Sequence, residues 1–98
     1  MNVLKWFSGG RDRANNAIEI IADLLIELNG NIQTESLQQV LIKYKDELER
    51  QESSVPYILS RMNIDISSAM SKDGIILSKK QSILMKQLRS LSNIYYGY

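Results

Sequence analysis

The sequence predicts an all-α protein that folds as an antiparallel, up-down-up-down four-helix bundle. Three observations lead to this prediction. Apolar residues recur at helical spacing in four segments, short stretches rich in Gly, Ser, Asn and Pro divide these segments, and the 98 residues suit a single domain. Because short connections favour antiparallel neighbours, the four apolar faces are expected to close on one common core.

The first helix is expected over residues 11–28. Its apolar face consists of Ala14, Ala17, Ile18, Ile21, Leu24, Leu25 and Leu28. Three acidic residues, Glu19, Asp23 and Glu27, share the opposite face, and this spacing is typical of a solvated helix surface. Gly30 follows the segment and can take the left-handed conformation that closes a helix.

The second helix is expected over residues 35–51. Thr34 is well suited to cap its beginning, because the hydroxyl can accept a hydrogen bond from an otherwise unpaired backbone N–H. The apolar face consists of Leu37, Val40, Leu41, Tyr44 and Leu48. Ile42 falls outside this face and could belong to a contact surface, although single exposed apolar residues are common.

The third helix is expected over residues 55–72, with Ser54 as its cap and Gly74 as its end. Pro56 suits a first helical turn, because its missing N–H has no partner within the helix there. The apolar face consists of Val55, Ile58, Leu59, Met62, Ile66, Ala69 and Met70. Tyr57 and Ile64 point nearly the opposite way.

The fourth helix is expected over residues 79–95. Ser78 and Gln81 match a capping box, in which each side chain bonds to the backbone of the other residue. The apolar face consists of Leu77, Leu84, Leu88, Leu91 and Tyr95, with Ile83 and Ile94 on one flank and Met85 on the other. The basic residues Lys79, Lys86 and Arg89 lie on the far side of this helix.

The residue types that the chain lacks exclude several kinds of active site. The sequence contains no cysteine and no histidine, which removes thiol nucleophiles, disulfides and histidine bases. A zinc site is not expected, and no nucleotide-binding glycine motif occurs. Because the carboxylates lie on outward faces, a carboxylate metalloenzyme is the least favoured alternative. The protein is therefore predicted to be no enzyme, to need no cofactor and to act by binding.

The C-terminal quarter of the chain is basic. Residues 74–98 contain Lys79, Lys80, Lys86 and Arg89 and no acidic residue, although the net charge of the whole chain is only +1. A basic end indicates an acidic partner or an anionic surface. Four charges are too few to predict nucleic-acid binding.

Aromatic residues collect at the two ends of the chain, which an even number of antiparallel helices brings together. They are Trp6 and Phe7 at one end and Tyr95, Tyr96 and Tyr98 at the other. Two interpretations stay open: these residues cover the end of the bundle, or they form a patch for a partner or a membrane interface. No membrane span and no secretory signal are expected, so the predicted location is the cytoplasm.

Three segments of the sequence resemble the enterocin A immunity family, whose members Gram-positive bacteria make together with class II bacteriocins. The segments are MNVLKWFSGGRDR at residues 1–13, SVPYILSRMN at 54–63 and LRSLSNIYYGY at 88–98, and the resemblance extends over essentially the whole chain. It implies an antiparallel four-helix bundle and a cytoplasmic protein that protects the producing cell from its own pore-forming peptide.

The resemblance also implies a partner and a binding region. The implied partner is the mannose phosphotransferase permease, a membrane sugar-permease receptor, once it has bound bacteriocin; the implied region is the C-terminal half. The corresponding candidate residues are Arg61, Lys79, Lys80, Lys86, Arg89, Tyr95, Tyr96 and Tyr98. Peripheral contact with the anionic inner leaflet is a further expectation. The alternative is a generic cytosolic helical adaptor or a homodimerising regulatory bundle, and the oligomeric state stays open.

Overall fold

The computed structural model describes residues 10–92, and the helices of this range form an all-α four-helix bundle, as predicted. The α-helices are α1, Gly10–Leu28; α2, Glu35–Arg50; α3, Val55–Asp73; and α4, Lys79–Ser90. A short 3-10 helix, Ile32–Thr34, precedes α2. Within the described range, no helix has both the length and the apolar character that crossing a bilayer requires.

Contacts between helices show that neighbours run in opposite directions. Lys80 at the start of α4 pairs with Glu27 near the end of α1, with 2.9 Å between Nζ and Oε2. Asn63 in α3 donates from Nδ2 to the carbonyl oxygen of Arg89, near the end of α4, over 3.2 Å. The start of α4 therefore lies beside the end of α1, and the end of α4 lies beside the first half of α3.

The core combines the apolar faces of all four helices. Its buried members are Ala14, Ala17, Ile21, Leu24, Leu28, Leu37, Leu41, Tyr44, Leu48, Val55, Ile58, Leu59, Met62, Ile66, Ala69, Met85, Leu88 and Leu91. Ile42, Tyr57 and Ile64 are exposed, as their position outside the apolar faces predicts. The two flanks of α4 differ: Met85 is 4% exposed and belongs to the buried core, whereas Ile83 is 50% exposed.

Two predicted helix ends are confirmed by their geometry. Ser78 Oγ accepts from the Gln81 N–H over 3.1 Å, and Gln81 Oε1 accepts from the Ser78 N–H over 2.9 Å, which completes the capping box of α4. Gly74 ends α3 in the left-handed conformation with φ 58°. The end of α2 uses the same conformation at a residue that is not glycine, since Gln51 has φ 51°.

Helix α2 begins at Glu35, as expected, but the predicted capping bond of Thr34 is wrong: the Thr34 side chain accepts no hydrogen bond from the first turn's backbone N–H groups. Thr34 Oγ1 donates to the carbonyl oxygen of Asn31 and accepts from Gln38 Nε2, each over 2.9 Å. The reason is that Thr34 also ends the 3-10 helix, so its backbone lacks the extended conformation that side-chain capping requires. Ser54 does have that conformation before α3, but its side chain makes no capping bond.

The α-helical part of α4 ends at Ser90, earlier than the predicted end at residue 95. The Leu91 N–H bonds to the carbonyl oxygen of Leu88, three residues back, so the last turn tightens into 3-10 geometry. The Ser92 hydroxyl donates to the carbonyl oxygen of Arg89 over 3.1 Å, which competes with helical bonding. Residues 93–95 of the predicted helix lie outside the described range.

Candidate partner-binding groove

A shallow groove runs along the seam between α3 and α4. The more buried apolar residues Met70, Leu77 and Met85 form its floor, and Ser82, Lys86, Arg89 and Ser90 form its rim, around a volume of about 390 Å³. A second depression continues along the seam toward Asn63 and Ile64. Arg89 lines both depressions, and the two together are named here the α3–α4 groove.

Short serine side chains line the groove on both helices, and these two helices are not a closely packed pair. Ser67 and Ser71 line it from α3, and Ser82 and Ser90 line it from α4. A serine side chain is too short to fill the space between two helix axes, and its hydroxyl does not favour a dry contact. The close helix packing instead lies elsewhere: α1 packs against α2 and α4, and α2 packs against α3.

Polar side chains join α3 to α4 at one end of the groove. Asn63 Nδ2 donates to Ser92 Oγ over 2.6 Å as well as to the backbone of Arg89. Arg89 Nη2 donates to Ser67 Oγ over 2.7 Å and so crosses the seam. This bond occupies only part of the guanidinium, which carries five N–H donors and can bind a further acceptor.

The groove is positively charged. Lys86 and Arg89 stand on its rim, and Lys79 lies on the same side of α4, seven residues before Lys86. Among the described residues that line the groove, none is acidic. Asp65 of α3 is engaged on the other side of that helix, where it accepts a hydrogen bond from the Tyr44 hydroxyl of α2.

The structure brings only some of the predicted site residues together. Lys86 and Arg89 meet at the groove, with Lys79 on the same side of α4. Lys80 instead turns toward α1, where its hydrogen bond to Glu27 raises its pKa. Arg61 turns toward α2 and does not reach the groove. Tyr95, Tyr96 and Tyr98 lie outside the described residues, as do Trp6 and Phe7.

Arg61 belongs to a second polar cluster, the α2–α3 cluster, which consists of Tyr44, Glu47, Tyr57, Arg61 and Asp65. Arg61 Nη1 pairs with Glu47 Oε1 over 2.8 Å. The guanidinium carbon lies 5.5 Å from the centroid of the Tyr44 ring and 5.6 Å from that of Tyr57. At these distances a guanidinium is attracted to the faces of both rings. Arg61 thereby joins α2 to α3.

Tyr44 and Asp65 complete the α2–α3 cluster. Burial of the Tyr44 phenol, together with its hydrogen bond to Asp65, raises the pKa of Tyr44 to about 12. The apolar pattern of residues 37–48 predicts that Tyr44 lies in the core, but it identifies no partner for the Tyr44 hydroxyl. A tyrosine in the middle of an apolar helix face was the available signal, because a buried hydroxyl usually requires a hydrogen-bond partner.

Comparison with known proteins agrees with this architecture. Residues 12–93 match the model of the bacteriocin immunity protein family. An uncharacterized 9.1 kDa protein of Carnobacterium maltaromaticum, from the 3′ region of the BM1 immunity protein, is 54% identical over 78 residues, which are 80% of this chain and 96% of the relative. The similarity thus covers all four described helices.

Two solved structures have the same fold. One is the crystal structure of an immunity protein that contributes to the self-protection of bacteriocin-producing Enterococcus mundtii 15-1A; it is 45% identical, with a TM-score of 0.78 over 82% of this chain and 96% of that one. The other is the solution structure of PisI, 54% identical, with a TM-score of 0.74 over 100% of both chains. With the family match over residues 12–93, these similarities establish that the chain belongs to the bacteriocin immunity protein family.

Proposed function

We propose that this protein protects a bacteriocin-producing cell from a class II bacteriocin by binding, without catalysis, to the membrane receptor that the peptide has engaged. The observation that carries the proposal is the family match over residues 12–93. The 45% identity to the Enterococcus mundtii protein, which contributes to self-protection, supports it. The proposed receptor is the mannose phosphotransferase permease, approached from the cytoplasmic side of the membrane.

A binding mechanism suits the chemistry of the chain. The α3–α4 groove offers apolar area, hydroxyl groups and two cations, which together can hold a complementary surface. The exposed bases Lys79 and Lys86 can also attract the protein to an anionic inner leaflet, where each base contributes about 1 kcal/mol. An attraction of this size concentrates the protein near its receptor without anchoring it there. Protection then follows when the bound protein blocks the pore.

The first test is a protection assay. The protein is expressed in a bacteriocin-sensitive strain, and the inhibitory concentration is measured for a panel of class II bacteriocins, including the peptide encoded beside its own gene. We expect tolerance to rise for the cognate peptide and to stay unchanged for unrelated peptides. If the folded, expressed protein protects against none of them, the proposed function is wrong.

A second test separates receptor binding from a generic adaptor role. Tagged protein is isolated from membranes of cells with and without bacteriocin, and from cells that lack the permease. We expect the permease to copurify only when both permease and bacteriocin are present. A stable partner or a homodimer that forms regardless of bacteriocin would favour the adaptor or homodimerising alternative instead.

A third test addresses the basic side of α4. Reversing Lys79, Lys86 and Arg89 to Glu should reduce protection and leave the helical circular dichroism signal intact, because these side chains lie outside the core. The matched control reverses two bases of α2, Lys45 and Arg50, which pair with Glu49 and Asp46 on the surface of the same helix. The control should protect like the wild type, since exposed ion pairs contribute little to stability.

A further inference from the structure

We infer that the α3–α4 groove receives an acidic peptide segment that carries an aliphatic or aromatic anchor side chain. This inference rests on the proposed function and adds the chemistry of the contact: the segment belongs to the cytoplasmic surface of the receptor. Three features of the groove lead to it, namely its unopposed positive charge, its adaptable apolar floor and the neutral partner of Arg89.

The charge of the groove selects an acidic occupant. Lys86 and Arg89 both border the space, and the side chains of the described part of the chain that line it include no carboxylate. In the α2–α3 cluster, by contrast, Arg61 faces Glu47 at 2.8 Å. An acidic segment would supply the anions that the groove lacks, whereas a basic segment would be repelled by two cations at once.

The floor of the groove selects an apolar anchor. Met70 and Leu77 are only half-buried, so apolar area remains for a ligand side chain to cover. Met70 and Met85 have unbranched, flexible side chains that can adapt to the shape of an incoming group. The volume of about 390 Å³ suits a few side chains of one segment rather than a whole domain. The occupant is therefore a peptide segment with one or two anchors.

Arg89 supplies the contact that such a segment would gain. Its guanidinium donates to Ser67 Oγ, a neutral acceptor, over 2.7 Å. A carboxylate accepts two parallel bonds from a guanidinium, and these charge-assisted bonds are stronger than a bond to a hydroxyl. A ligand carboxylate can thus bind Arg89 beside Ser67 or replace it, with Lys86 one helical turn away for a second acid.

A second copy of this chain is the competing occupant. The outward face of α1 carries Glu19 and Asp23, so one molecule could place this face in the groove of another. That arrangement predicts self-association that depends on protein concentration. An anionic bilayer is the other competitor, and it predicts binding to vesicles without peptide. Both are outcomes of the experiment below, and either would overturn the inference if it accounted for binding at the groove.

The experiment uses overlapping synthetic peptides that cover the cytoplasmic segments of the permease from a sensitive strain. Binding to the full chain is measured by fluorescence anisotropy, and the bound surface is mapped by NMR chemical-shift changes. We expect the tightest peptide to contain acidic residues beside an apolar one. We also expect the largest shifts at Met70, Met85 and Arg89.

Charge exchange gives the decisive comparison. Lys86→Glu combined with Arg89→Glu should weaken the tightest peptide by at least about tenfold, and a peptide in which lysines replace the acids should recover binding to this variant only. Lys86→Glu alone should also weaken binding of this peptide. Because this variant keeps the bond between Arg89 and Ser67, its effect reports on charge alone. The control, Lys45→Glu with Arg50→Glu on α2, should bind the peptide like the wild type.

The possible outcomes separate this inference from the proposed function. Peptide binding at another surface, unchanged affinity in the groove variant, self-association through the groove or binding there to vesicles of phosphatidylglycerol would overturn the inference while protection in the sensitive strain persists. Absence of protection with intact groove binding would instead overturn the proposed function. Groove binding together with charge-exchange recovery and protection supports both.

Discussion

The two sides of α3 differ in whether the charged side chains there have partners of opposite charge. Toward α2, Arg61 pairs with Glu47 and lies over the rings of Tyr44 and Tyr57, and Asp65 accepts the bond from Tyr44. Toward α4, serines line an open groove and the cations on its rim face no acid among the described lining residues. Toward α2, the polar groups of α3 bond to partners on that helix, whereas toward α4, the side chains of α3 face two cations that have no acidic partner in the described groove lining.

This difference indicates that the residues that stabilise the bundle, at the α2–α3 cluster, are separate from those available to bind a partner, at the α3–α4 groove. A cluster whose polar groups are paired with one another loses several interactions when any member is removed. Side chains that make few contacts within the protein contribute less to folding, so they can bind a ligand without unfolding the protein. The comparison predicts that equivalent substitutions will have different consequences on the two sides of α3.

The largest expected difference comes from shortening one residue on each side. Tyr44 is fully buried, so Tyr44→Ala should lower the free energy of unfolding by about 3–5 kcal/mol. Met70 is only half-buried at the groove, and Met70→Ala should lower it by roughly 1 kcal/mol. Urea unfolding followed by circular dichroism measures both losses. Equal losses would contradict the comparison.

Alkaline pH should loosen the α2–α3 side selectively. Burial and the bond to Asp65 raise the pKa of Tyr44 from 10.0 to about 12. Between these values the folded protein keeps a proton that the unfolded chain has lost. The stabilising contribution of Tyr44 is therefore complete below pH 10 and is lost as the pH rises through 12, a change on the order of 2 kcal/mol.

The variant Tyr44→Phe isolates this effect. We expect it to be less stable than the wild type at neutral pH because the Asp65 carboxylate loses a hydrogen bond. Above pH 10, however, the melting temperature of the variant should fall less steeply than that of the wild type. Absorbance titration should also show one fewer late-ionising tyrosine in the variant. Parallel melting curves against pH would assign the alkaline loss to other groups.

The two connections that flank α3 should respond in opposite directions. Gly74 and Gln51 both have left-handed backbone conformations, which cost residues other than glycine about 1–2 kcal/mol. Gly74→Ala should therefore destabilise the protein by about 1 kcal/mol, although the added Cβ would meet no atom within 4 Å. Gln51→Gly should stabilise it by up to about 1 kcal/mol. Thermal unfolding measures both changes, and a shared sign would show that the backbone strain is not the cause.

The smallest effect on stability is expected at the rim of the groove. Lys86 is exposed, so Lys86→Glu should change the free energy of unfolding by no more than about 0.5 kcal/mol. The same substitution should still reduce protection. A variant that loses protection only in proportion to its stability would indicate that the groove acts through folding and not through binding.

The sequence predicted those features that depend on neighbouring residues. The apolar faces, the capping box of Ser78 and Gln81, and the end of α3 at Gly74 all follow from local spacing and local backbone preference. The predicted capping bond of Thr34 does not form, because a preceding 3-10 turn changes the backbone conformation of this residue. The sequence pattern did not predict that turn. The groove was not predicted, since its existence depends on how closely α3 approaches α4.

The candidate site was predicted only in part. Lys86 and Arg89 were chosen for their charge and for their position in the C-terminal half, and the structure places both at the groove. Arg61 was chosen for the same reasons but faces α2, because proximity along the chain does not determine which neighbour a helical residue meets. Tyr44 and Asp65 became partners only through the pairing of α2 with α3.

The bond between Asn63 and Ser92 has a mechanical consequence. It ties α3 to α4 near the end of α4, whereas the opposite ends of the two helices are joined by the backbone between Asp73 and Lys79. The seam is therefore fastened at both ends, and between them the bond from Arg89 to Ser67 crosses it. A ligand that displaced this middle bond would leave both end fastenings in place, so α3 and α4 would keep their register.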